Sequence, residues 1–296
     1  MGDQFDVIEV GERGRRRSIG LVVVFVLLLV PIVGLIVSRE PEPQPPPEAV
    51  LPAPSPIRSL TRMENDTPSN LTAPVTTKGG DEVIEVVFPH GVRAEVRYPA
   101  RLGLADLGSR PFQGVWVGER YREFVAPYNG EIEITRGGEP LRSYAPNVTL
   151  WPRQAGSRSY GQVLLFEFGP WRLAMYDRGE GLTFDQRTAL ARALRGTVTK
   201  DGYLVLSAKT DIRLAEPGDT AEGDPAGPQL RFGGGVGPML ALVPTPDCRR
   251  QARQTTAISG RGRPADTVCR DGVLVAATGP HWFRRLAVEE IRITLK

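Results

Sequence analysis

An uninterrupted apolar segment near the amino terminus constrains this chain more than any other feature of its sequence. Residues 19–37 carry no charged side chain, and as an α-helix they would extend about 28 Å, close to the roughly 30 Å hydrocarbon core of a bilayer. A secretory signal has a shorter apolar region with small residues at its cleavage site, whereas this segment ends in Ile36, Val37 and Ser38. The sequence therefore predicts an uncleaved transmembrane helix, in preference to a cleaved signal or a buried helix of a soluble core.

The charges that flank this segment predict its orientation in the membrane. Arginines crowd residues 13–17 on one side, whereas Arg39 on the other side is followed at once by Glu40 and Glu42. Because Lys and Arg are enriched in cytoplasmic loops, residues 1–18 are expected to form a cytoplasmic tail. The rest of the chain is then extracytoplasmic, which predicts a single-pass protein of the cell membrane and excludes a cytoplasmic effector domain.

A long linker follows the predicted helix. Proline is unusually frequent in residues 40–56, and such a composition favours an extended polyproline II segment of roughly 50 Å. Residues 59–80 are polar and show no periodicity, which is typical of a flexible linker. We therefore interpret residues 38–80 as a spacer that holds a folded domain away from the membrane.

Residues 81–296 show the pattern of an antiparallel β domain. Apolar and polar residues alternate over short segments, and turn-forming residues separate these segments in pairs, as expected for β-hairpins. The predicted turns are Pro89-His90-Gly91, Asn129-Gly130, Gly169-Pro170, Asp201-Gly202 and Asp271-Gly272.

One segment of this domain has the signals of a helix. Thr183 is a predicted N-cap, Gln186 completes a capping box, and Gly196 follows the last turn. Phe184 and Leu190 lie broadly on the face that would pack against a sheet. The predicted fold class is therefore α+β and mostly β: a single N-terminal transmembrane helix, then an extracytoplasmic antiparallel sandwich or partly open barrel with one packed helix.

The composition restricts the classes of partner. The chain has 37 Lys and Arg residues against 34 Asp and Glu residues, which gives a net charge of +3. So mild an excess does not predict general binding of nucleic acids. Almost all of the basic residues are arginines, and this skew, together with abundant Ala, Gly and Pro, indicates a bacterial gene of high GC content.

The chain has 2 cysteines, Cys248 and Cys269, and both fall in the predicted extracytoplasmic part. Because disulfides form and persist outside the cytoplasm, the sequence predicts that the two are joined. The alternative is a catalytic thiol at Cys269. However, the sequence around it lacks the Thr-Leu-x-Thr-Cys motif of sortases, and His281 follows the cysteine instead of preceding it.

The segment between the cysteines concentrates basic residues, with Asp266 as its single acid. A guanidinium group binds phosphate or carboxylate through paired hydrogen bonds, so arginines held in one closed loop suit an anionic polymer. The alternative is a solvated basic loop without a ligand. The candidate anion-binding residues are Arg249, Arg250, Arg253, Arg261 and Arg263.

Motifs of common enzymes are missing from the sequence. It has no Gly-x-Ser-x-Gly elbow, no His-Glu-x-x-His and no phosphate-binding loop, and its histidines, His90 and His281, lie in turn-like surroundings. No cofactor and no metal site are predicted. These features favour an envelope binding or interaction module whose partner is an anionic wall polymer, a lipid headgroup or an envelope protein. The alternative is a membrane-anchored hydrolase or transferase that modifies the cell wall.

Overall fold

A computed structural model describes residues 69–152, 161–209, 212–251 and 264–296. The predicted tail, membrane helix and most of the predicted spacer lie outside these ranges. None of the helices inside them is long and apolar enough to cross a bilayer. The first strand begins at Thr76, a few residues before the predicted start of the folded domain.

The described residues form mainly β-strands. In chain order the strands are β1 (Thr76–Lys78), β2 (Asp81–Val87), β3 (Arg93–Pro99), β4 (Ser109–Val117), β5 (Arg120–Val125), β6 (Arg142–Ala145), β7 (Val148–Trp151), β8 (Val163–Phe168), β9 (Trp171–Tyr176), β10 (Arg195–Val198), β11 (Leu204–Ser207), β12 (Ile212–Leu214), β13 (Thr220–Ala221), β14 (Asp224–Pro225), β15 (Gln229–Gly233), β16 (Met239–Pro244), β17 (Ala265–Arg270), β18 (Val273–Thr278) and β19 (Arg292–Leu295).

The helices are short and stand between the strands. They are α1 (Leu104–Leu107), α2 (Ile132–Thr135), α3 (Phe184–Ala193), α4 (Cys248–Gln251) and α5 (His281–Glu290), with a 3-10 turn at Ala100–Leu102.

A large antiparallel sheet organises the described part of the chain. It has 11 strands. Ten of them follow the order β17-β18-β16-β15-β4-β5-β9-β8-β7-β6, and the eleventh, β12, pairs with the end of β4 that β15 does not contact. A second sheet of 4 strands has the order β1-β2-β3-β19, and β10 pairs with β11 in a separate hairpin. The mostly β, antiparallel architecture expected from the sequence is therefore confirmed.

The two halves of the large sheet follow the same order outward from the β4–β15 pair. The first half runs β4, β5, β9, β8 and the second runs β15, β16, β18, β17. Each half continues into a helix of 10 residues and then into a strand that leaves the sheet, α3 and β10 in the first and α5 and β19 in the second. β10 pairs with β11, which precedes the second half, and β19 pairs with β3, which precedes the first. The chain thus repeats one topology about the β4–β15 junction, although the sequence shows no repeat of fixed period.

One face of the large sheet is covered by the helices and the smaller sheets. Over the second half, α5 and the four-stranded sheet enclose a core that includes Val96, Leu240 and Phe283. Over the first half, α3 and the β10–β11 hairpin enclose Phe166 and Leu190. The two clusters on this face contain most of the buried apolar side chains of the described residues. Since each such side chain contributes roughly 1.5–3 kcal/mol on burial, most of the hydrophobic stabilisation of the described part arises here.

The opposite face carries two smaller apolar clusters. Successive side chains of a strand point to opposite faces, and along β16 Leu240 and Leu242 belong to the main core whereas Ala241 and Val243 do not. The cluster near α4 consists of Ala241, Val243, Cys248, Leu274 and Ala276, and the cluster near α2 consists of Ile134, Trp151, Val163, Leu165 and Ala174. The central strands between these clusters have a different surface, described below.

Local signals predicted four of the five hairpins. β2–β3, β8–β9, β10–β11 and β17–β18 pair as expected. At the β17–β18 turn, Asp271 and Gly272 both have positive φ, as a type I′ turn requires. The hairpin predicted at Asn129-Gly130 is wrong, because the segment after it forms the short helix α2, while β5 pairs with β4 and β9.

The predicted helix is present with its capping box, in which the Thr183 hydroxyl accepts from the Gln186 amide and the Gln186 side chain accepts from the Thr183 amide. Two details differ from prediction. Phe184 is 53% exposed instead of packed, and Gly196 lies inside β10, where a Cβ atom would come within 2.4 Å of the Phe168 ring.

The prediction of one packed helix is wrong, because α5 is a second helix of equal length. Gly279-Pro280-His281-Trp282 resembled a turn, but Pro280 is the N-cap of this helix. Proline suits a helix start, since the first amides of a helix have no acceptor within it. Phe283 and Ala287 then bury one face of the helix against the core.

Candidate functional site

The strands at the junction of the two halves, β4 and β15, present arginines to the face that carries the smaller clusters. Arg231 stands between Leu230 and Phe232, which are both in the main core, so its side chain points to the opposite face. Arg110 is its direct cross-strand partner and therefore lies beside it on that face. We call Arg110 and Arg231 the central arginine pair.

Arg110 is almost completely buried, with 9% of its surface exposed. Its Nη1 donates to the carbonyl of Ala126 at 2.9 Å, and its Nη2 donates to the carbonyl of Gly233 at 2.7 Å. The guanidinium group also lies 5.1 Å from the ring centroid of Tyr128. These contacts hold Arg110 rigidly, but all of them are to neutral groups.

Arg231 is partly buried and is likewise held by neutral groups. Its Nε and Nη2 donate to the Oε1 atom of Gln229 at 3.2 and 3.0 Å, and the Gln229 amide donates in turn to the Pro225 carbonyl. The guanidinium carbon is 3.8 Å from the ring centroid of Phe112, close enough for a strong cation–π contact. Among the described residues, Nη1 of Arg231 has no hydrogen-bond partner.

The central arginine pair has no carboxylate partner within 4.0 Å among the described residues. Burial lowers the pKa of Arg231 to about 10, and the neighbouring Arg110 lowers it further while Glu123 acts in the opposite direction. Burial also lowers the pKa of Arg110. Because the pKa of Arg231 is lower in the folded than in the unfolded state, its charge costs stability at neutral pH, and this cost is relieved only as the pH rises through about 10.

Further arginine–aromatic contacts extend this surface along β4. Arg213 lies 3.9 Å from the ring centroid of Trp116, whose ring contacts Tyr121 at 5.2 Å. Tyr121 lies across Gly114, where a Cβ atom would come within 2.9 Å of the tyrosine oxygen and 2.2 Å of a backbone carbonyl. We call this surface the arginine–aromatic strip; it consists of Arg110, Phe112, Trp116, Tyr121, Arg213 and Arg231.

Elsewhere in the chain, two arginines converge on a carboxylate. The Asp177 side chain is fully buried and accepts from Arg122 Nε at 3.2 Å and from Arg187 Nη2 at 2.6 Å. Both of its oxygens also accept from the Leu182 amide at 2.8 Å. In this ion-pair network one buried carboxylate neutralises two arginines.

Sequence reasoning predicted a disulfide and an anion-binding loop next to it. Cys248 and Cys269 are joined in a disulfide with a Cα–Cα distance of 5.4 Å, which confirms their pairing. Arg249 is exposed on α4. Arg250 lies in α4, but its side chain is outside the described part of the chain, as are the whole of Arg253, Arg261 and Arg263.

The disulfide lies on the same sheet face as the arginine–aromatic strip. Cys248 is fully buried in the same apolar cluster as Ala241, and Ala241 is the cross-strand partner of Arg231. Since neighbouring strands are about 4.8 Å apart, the base of the arginine-rich segment and the central arginine pair are separated by only a few strands. The fold therefore places α4, which carries the predicted residue Arg249, on the same sheet face as the central arginine pair.

The prediction of turn-like surroundings is confirmed for His90 and is wrong for His281. His90 lies in the β2–β3 turn, but its ring is partly buried, 5.9 Å from that of Phe88, and burial lowers its pKa. His281 is exposed and begins α5. Neither contacts a described carboxylate or cysteine, so the catalytic alternative gains no acid–base pair from these residues.

The central arginine pair was missed by sequence reasoning. A local signal did exist, since Arg231 interrupts an apolar segment and Arg110 precedes one. Their proximity, however, depends on the pairing of strands that are more than a hundred residues apart in sequence.

Comparisons of the chain with known protein families, with curated proteins and with solved structures find no match.

Proposed function

We propose that this chain is a single-pass membrane protein whose extracytoplasmic domain binds an anionic component of a bacterial cell envelope. In this proposal residues 19–37 are the membrane helix and residues 38–80 are the spacer. The domain is a sandwich in which the large sheet is covered on one face by the smaller sheets and helices. Its opposite face is the binding surface.

The observation that carries this proposal is the disulfide between Cys248 and Cys269. It supports an extracytoplasmic location, because disulfides are rare in the reducing cytoplasm. It also ties both ends of the arginine-rich segment to one sheet face, where the buried Cys248 anchors α4 and its exposed Arg249. Like charges that are held together in this way repel one another, and a bound polyanion would relieve that repulsion.

Replacement of Arg249, Arg250 and Arg253 by serine tests this function. We expect the full-length protein to be retained on isolated wall material, and the triple variant to be retained at least about tenfold less. Retention of the original protein should fall steeply as salt rises, since exposed charges are screened beyond a Debye length of about 8 Å at physiological salt. The measurement is the bound fraction over a salt series.

A matched control removes the same number of charges from other surfaces. Arg93, Arg192 and Arg285 are suitable, because Arg93 and Arg285 form exposed ion pairs and Arg192 is exposed on α3. This control should be retained like the original protein. Equal retention of the Arg249, Arg250 and Arg253 variant across the salt series would contradict the proposed role of the segment.

A further inference from the structure

We propose that Arg110 and Arg231 form a second binding site, for a phosphate group, at the junction of the two halves of the sheet. The site rests on the proposed function, because its ligand is a phosphate of the same anionic wall polymer that the disulfide-closed segment is proposed to bind. It adds specific residues and a specific chemical group to that function.

The first argument is the missing counter-charge. Two arginines face each other as cross-strand partners, where like charges destabilise a sheet. Arg110 is nine-tenths buried, and its partners are backbone carbonyls. Glu123 and Glu133 act on the pair only from a longer distance, and neither forms an ion pair with it within 4.0 Å. Keeping two adjacent cations without a directly bonded acid is costly unless something else supplies the negative charge.

The second argument is a comparison within the same molecule. Around Asp177 the chain supplies one buried carboxylate to Arg122 and Arg187. The central arginine pair has no such group within 4.0 Å among the described residues. Its guanidinium groups are nevertheless held firmly, by carbonyls, by Gln229 and by the Phe112 and Tyr128 rings. A pair that is rigid and has no directly bonded carboxylate is arranged for an anion that comes from outside.

The third argument concerns the chemistry of that anion. A phosphate group presents its acceptor oxygens in tetrahedral directions, so guanidinium groups on two adjacent strands can donate to one phosphate together. Nη1 of Arg231 has no partner among the described residues and is free to donate. A phosphodiester also stays charged over the whole physiological range of pH, which matches a site whose cations do not titrate there.

The fourth argument is continuity with the disulfide-closed segment. Arg231 is the cross-strand partner of Ala241, which belongs to the same apolar cluster as the buried Cys248 at the start of α4. A linear polymer can therefore cross the face from α4 and its exposed Arg249 to the central pair. Successive phosphates would then be bound by different arginines, and each additional contact would raise the apparent affinity.

The test uses the full chain in neutral detergent, with soluble polyphosphate as the probe. At a probe concentration about a hundred times the Kd, ligand linkage should raise the Tm of the original protein by about 5 °C or more. Arg231→Met keeps the apolar cover over Phe112 but removes the charged donor. We expect its Kd for polyphosphate to rise at least about tenfold and its Tm shift to shrink accordingly.

Two further variants separate binding from folding. Arg231→Lys keeps the charge but loses the planar pair of donors, so its affinity should lie between those of the original protein and Arg231→Met. Arg285→Met removes an exposed arginine from α5, on the covered side of the sheet, and should bind like the original. Without the probe, Arg231→Met should unfold at the same temperature as the original or higher, which shows that it is folded.

The outcomes distinguish the site from the broader function. If Arg231→Met binds polyphosphate as tightly as the original while the variant of Arg249, Arg250 and Arg253 does not, the second site is disproved and the envelope function stands. If the original protein binds neither polyphosphate nor wall material, the function itself fails. If polyglutamate binds as tightly as polyphosphate, and if Arg231→Met weakens both to the same extent, the assignment of the site to phosphate is wrong. A Tm shift produced only by adding phosphatidylglycerol to the micelles would overturn the assignment to a polymer.

Discussion

Asp177→Ala should lower the free energy of unfolding by about 3–5 kcal/mol. The substitution leaves the guanidinium groups of Arg122 and Arg187 without the carboxylate that neutralises them, and a broken buried ion pair typically costs this amount. It also removes the acceptor of the Leu182 amide, just before the N-cap of α3. Urea unfolding should show a lower midpoint with little change in slope, since the fold buries the same surface.

A surface ion pair provides the matched control for this substitution. Asp219 pairs with Arg213 at 2.7 Å, but both side chains are substantially exposed. Because solvent screens such a pair, Asp219→Ala should cost less than about 1 kcal/mol. If the two alanine variants unfold at the same urea concentration, Asp177 is not the centre of a stabilising network.

Loss of the disulfide should have the second largest effect. The bond joins residues that are 21 positions apart in sequence, and restriction of the unfolded chain by a loop of that size stabilises the folded state by about 3 kcal/mol. Replacing both Cys248 and Cys269 with alanine should therefore lower the free energy of unfolding by about that amount. The measurement is again urea unfolding under non-reducing conditions.

Reduction of the original protein supplies an independent check of the same bond. A reductant should lower the unfolding midpoint of the original protein to nearly that of the double alanine variant, and should leave the variant unchanged. If the reductant has no effect on the original protein, the bond contributes nothing to stability, and the anchoring that we assign to it is wrong.

Local sequence signals predicted the hairpins because their determinants lie close together in the chain. Alternation and a Gly-containing turn were sufficient for β8–β9 and β17–β18. The same alternation of apolar and polar residues led to a wrong prediction of a strand at Ile132 and Ile134, which lie instead in the short helix α2. α5 was missed because Gly279-Pro280 was interpreted as a turn, although Phe283, Leu286 and Ala287 have the spacing of a helix face.

The order of the strands, and with it the arginine–aromatic strip, could not be predicted from the sequence. The junction depends on β4 pairing with β15 in one register, and a shift by one residue would place Arg231 in the main core and Phe232 on the opposite face of the sheet. Local pattern does not specify such a long-range register. It is set by burial of whole faces, here Leu230 and Phe232 against the four-stranded sheet and α5. The arginine-rich segment, by contrast, could be identified in the sequence from its composition alone.

The side of the membrane on which the domain lies is the central claim, because the disulfide, the spacer and the anionic ligand all depend on it. Protease added to intact cells that have been stripped of their outer layers should cleave within residues 38–68 and release the folded domain, while a cytoplasmic marker protein stays intact. An antibody against the carboxyl-terminal part of the chain measures this loss directly. Release of the domain is the result we predict, whereas full protection until the membrane is permeabilised would place the domain in the cytoplasm and contradict the account.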